Sequence, residues 1–329
     1  MSITVGYSIR SWTAVRVRAT IKGAMRALVY DPDAAQGLRL GEVPEPQPEA
    51  SLVLVEVRAT SLNFGEVAFL RERHRPGDVA GWDAAGTVIT AAADGSGPRG
   101  GARVVTFGWG GAWAQRRVVD TTQLAVLPDS VEFVAAAALP VAAVTALRAV
   151  RRLGPLLGRR ILITGASGGV GRFAVQLAAR AGASVVGVVG RRERGAGLTE
   201  LGAAEVAVGV GGLTGTFDGA LDNVGGQLLA DVYALLAPDA PALSIGMASL
   251  EPTMIDFEAA RVRAGGSRIE AFSVGDRFGE DLAYLVGLLA AGQLDPQVGW
   301  RGSWDRASEA AELLLGRQVR GKAVLEVGR

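Results

Sequence analysis

The stretch Arg160 to Arg192, RILITGASGGVGRFAVQLAARAGASVVGVVGRR, constrains this chain more than any other. A short apolar segment runs into a glycine cluster, and apolar residues then recur at helical spacing (Val170, Ala174, Leu177, Ala178, Ala181) before a second apolar segment. Gly182 sits where a helix stop is needed. The loop itself is Gly165, Ala166, Ser167, Gly168, Gly169, Val170 and Gly171. Small residues let the backbone approach a pyrophosphate, and the first N–H groups of the following helix supply hydrogen bonds and partial positive charge to it. The competing reading is a tight strand-to-helix turn with no ligand, since glycine suits any such turn. Placement between a strand and a helix favours the dinucleotide.

About 20 residues past such a loop an NAD site places Asp or Glu on the ribose 2′-hydroxyl. Here Gly190 is followed by Arg191 and Arg192, cations that suit a 2′-phosphate, so the expected cofactor is NADPH. The blander alternative is a solvated face in an arginine-rich chain, where only Lys22 and Lys322 are lysines among 34 basic residues.

On either side of this unit the period changes. From Met25 short strand patterns alternate with turn residues (RALVY, LVLVEVRAT, AGTVITA, ARVVTFG, AQRRVV), which predicts a mostly antiparallel β domain to Leu127. From Pro128 the period is helical to Gly154, and strands then alternate with helical segments (GRFAVQLAARAG, GAGLTELGA, QLLADVYALLA), predicting a parallel sheet covered on both faces. The tail from Gly266 adds the amphipathic EDLAYLVGLLAAGQL and a last strand, KAVLEV. Residues 1–24 carry four basic residues and no acid without a continuous apolar core, and are read as a dispensable extension rather than a secretory signal.

Absences narrow the chemistry further. With no cysteine and a single histidine, His74, the chain offers no disulfide, thiolate or histidine triad and little for zinc, and the cysteine count fits a reducing, cytoplasmic setting. No apolar run of membrane-spanning length occurs, and a net charge of +1 argues against nucleic acid or membrane as partner. A hydrophobic content of 49% against 20% charge is that of well-cored globular domains.

Beyond the glycine loop, MRALVYD, ATSLNFGEVAFL, PGDVAGWDAAGTV, GARVVTFGWGGAWAQRRVV, AAALPVAAVTALRAV, FDGALDNVGG and GKAVLEV occur in the order seen in one family. The chain resembles the zinc-independent branch of the medium-chain dehydrogenase/reductase superfamily, the quinone oxidoreductases and polyketide enoyl reductases. The resemblance implies an α/β protein: a chaperonin-10-like, mostly β catalytic domain (residues 25–127 and 266–329) and a Rossmann domain with a doubly wound parallel sheet (residues 128–265). It also implies a cleft between them for a small-molecule substrate, and a homodimer built through the edge of the Rossmann sheet.

Several residues take roles from it. Asn63 matches the asparagine near the nicotinamide and its ribose, against the local reading of a helix cap. Thr145 matches a threonine near the nicotinamide, while Asn223 to Gly225 and Ser244 to Met247, including Gly246, end later strands and would flank the ribose and nicotinamide amide. Trp109, between glycines, is expected to line the substrate pocket, whereas Lys322 and His74 read as a surface lysine and a solvated loop histidine.

The chain also departs from the pattern. Gly81-Trp82-Asp83 stands where zinc-dependent relatives carry Gly-His-Glu, Glu66 replaces a usual Asp, and the tyrosine that many relatives carry just after that motif is missing, so the proton donor is unassigned. The expected activity is a zinc-free, NADPH-dependent hydride transfer to a quinone or an α,β-unsaturated carbonyl. The alternatives are a non-catalytic dinucleotide sensor or scaffold and a dedicated tailoring reductase of secondary metabolism.

Overall fold

A computed structural model describes residues 23–263 and 265–328; the N-terminal extension read from the sequence lies outside the described residues apart from its last two. Strands β1 (Ala24–Tyr30) and β2 (Leu38–Pro44) form an antiparallel pair. A seven-stranded sheet follows from β3 (Leu52–Leu62), β4 (Asp83–Thr90), β5 (Arg103–Phe107), β6 (Arg116–Asp120) and β7 (Leu124–Val126). Between β3 and β4 lie two short helices, α1 (Phe64–Ala68) and α2 (Leu70–Arg73). β3 is buried along most of its length, Val53, Leu54, Val55 and Val57 included, as a central strand packed on both sides requires.

The helical stretch after Pro128 is two helices, not one: α3 (Phe133–Ala137) and α4 (Pro140–Arg152). Pro140 lacks the N–H that a continuous helix would use and instead opens α4 at its first turn. A parallel six-stranded sheet then forms from β8 (Arg160–Ile163), β9 (Ser184–Val189), β10 (Ala203–Val208), β11 (Gly219–Asp222), β12 (Pro241–Ser244) and β13 (Arg268–Ala271), in the order β10-β9-β8-β11-β12-β13. Helices α5 (Gly169–Arg180), α6 (Gly226–Tyr233) and α7 (Phe257–Arg263) connect its strands.

Two expectations need correction. GAGLTELGA is not a helix: the chain runs through a 3-10 turn at Arg192–Gly195 and further turns, because Gly197 and Gly202 adopt positive φ. The boundary expected at residue 265/266 is also too early, since β13 pairs in parallel with β12 from Arg268 to Ala271 and belongs to the Rossmann sheet. The chain returns to the first sheet only after α8 (Gly279–Ala290), through β14 (Val298–Ser303), helix α9 (Ala307–Leu315) and β15 (Lys322–Glu326), which pairs antiparallel with β3.

One apolar cluster runs through the junction of the two halves, from Phe107 and Ala85 through Leu139 and Val144 to Ile161, Phe173 and Phe278. Removing that surface from water, at about 25 cal/mol per Å², fixes how the β domain and the parallel sheet meet. No helix among the described residues is long and apolar enough to cross a membrane.

Candidate active site

The glycine loop closes on itself so tightly that side chains are excluded. A Cβ on Gly171 would stand 2.3 Å from the Gly165 carbonyl oxygen and 2.7 Å from Ala166 Cα. Ala166 is anchored from β9 by its N–H to the Val188 carbonyl, and Gly168 caps α5 with no side-chain acceptor. The first-turn N–H groups of α5, which no helix satisfies internally, are therefore presented with no acidic side chain beside them. Gly169 and half-buried Val170 complete the turn, and Ser167 is buried.

The strand ends supply the opposite wall. Buried Asp222, whose pKa is raised by burial, accepts from Thr164 Oγ1 (2.5 Å) and from the Gly225 N–H (2.8 Å), which holds the loop 223–225 in place. Asn223 donates through Nδ2 to the Thr164 carbonyl, but its Oδ1 is buried with no partner among the described residues. Gly246 passes so close to Asn223 that a Cβ would meet the Asn223 carbonyl oxygen at 2.9 Å, and Met247 beside it is exposed. Thr145 is buried on α4.

Gly190, Arg191 and Arg192 lie exposed at the end of β9. The arginine that reaches the glycine loop is a different one, Arg194, whose Nε donates to Ser167 Oγ at 2.9 Å. Its other nitrogens donate to the carbonyls of Arg317 and, at 3.0 Å, Val319, in the loop before β15. Burial, then the charges of Arg191, Arg317, Arg320 and Arg172, lower its pKa, so five guanidinium groups crowd one end of the cleft. The sequence signal was present in RRER, but only the turn shows which arginine faces inward.

Asn63 and Lys322 meet in one buried network, and the expectation for Lys322 is overturned. Lys322 is 2% exposed, and its Nζ donates to Asn63 Oδ1 (2.6 Å) and the Leu62 carbonyl (3.1 Å) and pairs with Asp83 (3.4 Å). It is not a surface lysine, because β15 runs beside β3 in the buried sheet. Asn63 Nδ2 donates to Glu66 Oε2 and Asp83 Oδ2, both at 2.8 Å. With both amide N–H groups donated to carboxylates, Asn63 is the hub of a buried charge network and also sits at the N-cap of α1, where Glu66 closes a capping box.

Glu66, also 2% exposed, accepts from the Asn63 backbone (2.8 Å) and the Trp82 N–H (2.6 Å). Burial and then the Asp83 charge push its pKa up to about 8, against the opposing pull of Asn63 and Lys322. Asp83 Oδ1 accepts from the Val141 N–H at the start of α4, which ties the network to the Rossmann half. Buried Arg117 donates to the Trp82 and Gly110 carbonyls, and burial lowers its pKa to about 10.

Above this network the walls are aromatic. Trp109, 38% exposed, meets Trp82 edge-to-face at 5.2 Å and Phe107 at 4.8 Å, and Phe107 stacks on Phe278 at 3.7 Å. Trp113 packs instead in the core, against Gly81: a Cβ there would lie 2.3 Å from the indole, and Gly81 takes φ +97° to turn Trp82 outward. The His74 side chain is 17% exposed rather than solvated, its Nδ1 4.0 Å from Asp78, and burial lowers its pKa.

A phosphate cradle at the carboxyl ends of a parallel sheet, with a second β domain that carries an aromatic cluster packed against it, defines a two-domain dinucleotide-dependent oxidoreductase. Residues 49–129 match the alcohol dehydrogenase GroES-like domain and residues 198–325 the zinc-binding dehydrogenase family. The chain is 30% identical over 332 residues to the chloroplastic quinone-oxidoreductase QR1 of Triphysaria versicolor, covering 92% of this chain and 98% of that one. It is 34% identical over 325 residues to the erythronolide synthase EryA2 of Saccharopolyspora erythraea, of which it spans 8%. A mycobacterial structure complexed with NADPH superimposes with a TM-score of 0.81 at 24% identity, over 92% of this chain and 99% of that one. The chain belongs to the medium-chain dehydrogenase/reductase superfamily of oxidoreductases.

Proposed function

We propose that this chain is a zinc-free, NADPH-dependent reductase that delivers hydride to a quinone or an α,β-unsaturated carbonyl. The observation that carries the reading is Arg194 hydrogen-bonded to the glycine loop through Ser167, with four further arginines around it. Such a cluster suits the 2′-phosphate that distinguishes NADPH from NADH. The cradle fits the rest of the dinucleotide: a loop that a Cβ on Gly171 would fill, uncapped N–H groups at the start of α5, and the orphaned Asn223 Oδ1 as acceptor for a ribose hydroxyl. When bound, the dihydronicotinamide supplies the hydride.

The chain's own groups would do the rest. The α5 N–H groups hold the pyrophosphate, Arg194 the 2′-phosphate, and Trp82 with Trp109, packed edge to face, offer apolar surface to the substrate. Trp82 where zinc-dependent relatives carry histidine, in a chain without cysteine, supports zinc-free chemistry. The unpaired outer edge of β13 supports a homodimer in which that strand pairs with its copy, and the absence of cysteine supports a cytoplasmic setting.

Titrating NADPH against tryptophan emission and following NADPH oxidation with a panel of quinones and enones tests the reading. Saturable NADPH binding with turnover is expected; failure to bind NADPH would refute it. The commitment of Asn63 to protein partners favours a second reading, a dinucleotide sensor, which tight binding without turnover would establish.

A further inference from the structure

Among the described residues, most polar groups near the aromatic walls that could take the charge developing on a substrate oxygen are committed to protein partners. Asn63 and the Lys322 ammonium are spoken for by buried carboxylates, and Arg117 donates to three protein oxygens. Tyr233 donates to the Ser267 carbonyl in the Rossmann half, and His74 faces Asp78. Arg317 lies over Phe64 and donates to the Ala248 carbonyl.

Arg73, at the end of α2, is differently placed. Its guanidinium lies over the Phe69 ring, 5.1 Å from the centroid, and over the Trp82 ring, 5.8 Å from the centroid. Nη1 makes one long hydrogen bond, 3.4 Å, to the Gly65 carbonyl, and among the described residues no carboxylate lies within ion-pair distance of it. A guanidinium has five N–H donors in a rigid fork, so most remain available beside the indole. Although the residue as a whole is exposed, burial lowers its pKa, as expected of a cation partly stripped of water by aromatic faces. Glu66 acts on it through space, yet both Glu66 oxygens are aimed at Asn63 and the Trp82 N–H.

We propose that Arg73 is the electrophilic donor of this site, holding the substrate's carbonyl oxygen at the edge of the Trp82 indole and stabilising the oxyanion. The inference rests on the reductase reading and deepens it. An enone held there accepts hydride, two electrons and one proton, at its β-carbon, while the dihydronicotinamide is oxidised. The carbon–carbon π pair shifts and negative charge comes to rest on oxygen, where Arg73 donates without losing its own proton. Water then protonates the α-carbon and releases hydroxide. Bulk solvent replaces the protein acid that the groove lacks, so only the oxyanion needs a fixed partner.

The test uses 4-nitrophenol, which has the ring and phenolic oxygen of the hydroquinone that hydride transfer to a quinone leaves and a coloured phenolate, titrated from pH 5 to 9 against NADP⁺-loaded protein. In wild type the bound phenol is expected to ionise at lower pH than the free phenol. Arg73→Gln should cut the preference for phenolate by about 10- to 100-fold, the strength of a charge-assisted hydrogen bond. Arg73→Lys, which keeps the charge, should recover part of it. NADPH affinity and melting temperature should be unchanged in both variants, and kcat for an enone should fall by a similar factor in Arg73→Gln.

An unshifted ionisation in wild type, or one equal in wild type and Arg73→Gln, overturns the assignment, as does failure of the phenol to bind. NADPH binding without turnover of any acceptor instead overturns the reductase reading, while the phenolate titration still decides Arg73.

Discussion

Replacing Glu66 by glutamine should remove a pH dependence that is built into the core. In the folded chain the Glu66 pKa is raised from 4.5 to about 8, chiefly by burial. Between those values the folded state keeps a proton that the unfolded state has released, so stability falls as pH rises through this window and levels off above it. The interval at about 1.4 kcal/mol per pH unit sets a ceiling of about 5 kcal/mol. The Trp82 N–H, donating at 2.6 Å, favours the carboxylate and reduces this; about 2 to 4 kcal/mol is the expected fall.

Urea unfolding at half-unit steps from pH 5 to 9 measures it. Glu66→Gln keeps the shape but points an amide N–H₂ at a donor, so a constant offset of about 1 to 2 kcal/mol is expected at every pH. The difference between the two curves is therefore the test. His74, whose pKa is lowered, and Asp222, whose pKa is raised, contribute equally to both proteins and cancel. Parallel curves across the window would refute the argument, because Glu66 would then be ionised throughout.

Three other outcomes are expected. Lys322→Met leaves Asp83 buried without its cation and should cost about 3 to 5 kcal/mol in urea unfolding, with Asp83→Asn restoring part of the loss; a cost below about 1 kcal/mol would show that the pair is not the anchor. Gly171→Ala, with its Cβ 2.3 Å from the Gly165 carbonyl, should force the loop apart, weakening NADPH at least about tenfold by fluorescence titration and costing about 1 to 3 kcal/mol of stability. Arg194→Gln should weaken NADPH by about 10- to 100-fold while leaving NADH within about twofold; equal losses for both cofactors would move the 2′-phosphate elsewhere.

Much of the architecture was legible from local pattern alone. Strand and helix periods and the glycine spacing are properties of contiguous residues, so the β domain, the parallel sheet and the phosphate cradle could be read directly. The misread places are those where a local cue competed with a distant partner. GAGLTELGA has a helical period, but glycines at positive φ turn it, and Arg268–Ala271 joins a sheet whose other strands lie many residues away. RRER announced cations without saying that the third arginine faces the loop.

The amino-acid sequence by itself pointed to a dinucleotide cradle and excluded thiolate chemistry and a histidine triad, because these follow from residue type and spacing. Only the tertiary structure decided what Asn63 does. Lys322 lies 259 positions from it and Asp83 20 positions from it, and all three meet because β15, β3 and β4 share a sheet. Inside that sheet a charge is tolerated only when paired. The same packing that buries Lys322 and Glu66 claims the Asn63 amide, while Arg73 lies over the Trp82 indole with most of its donors unspent.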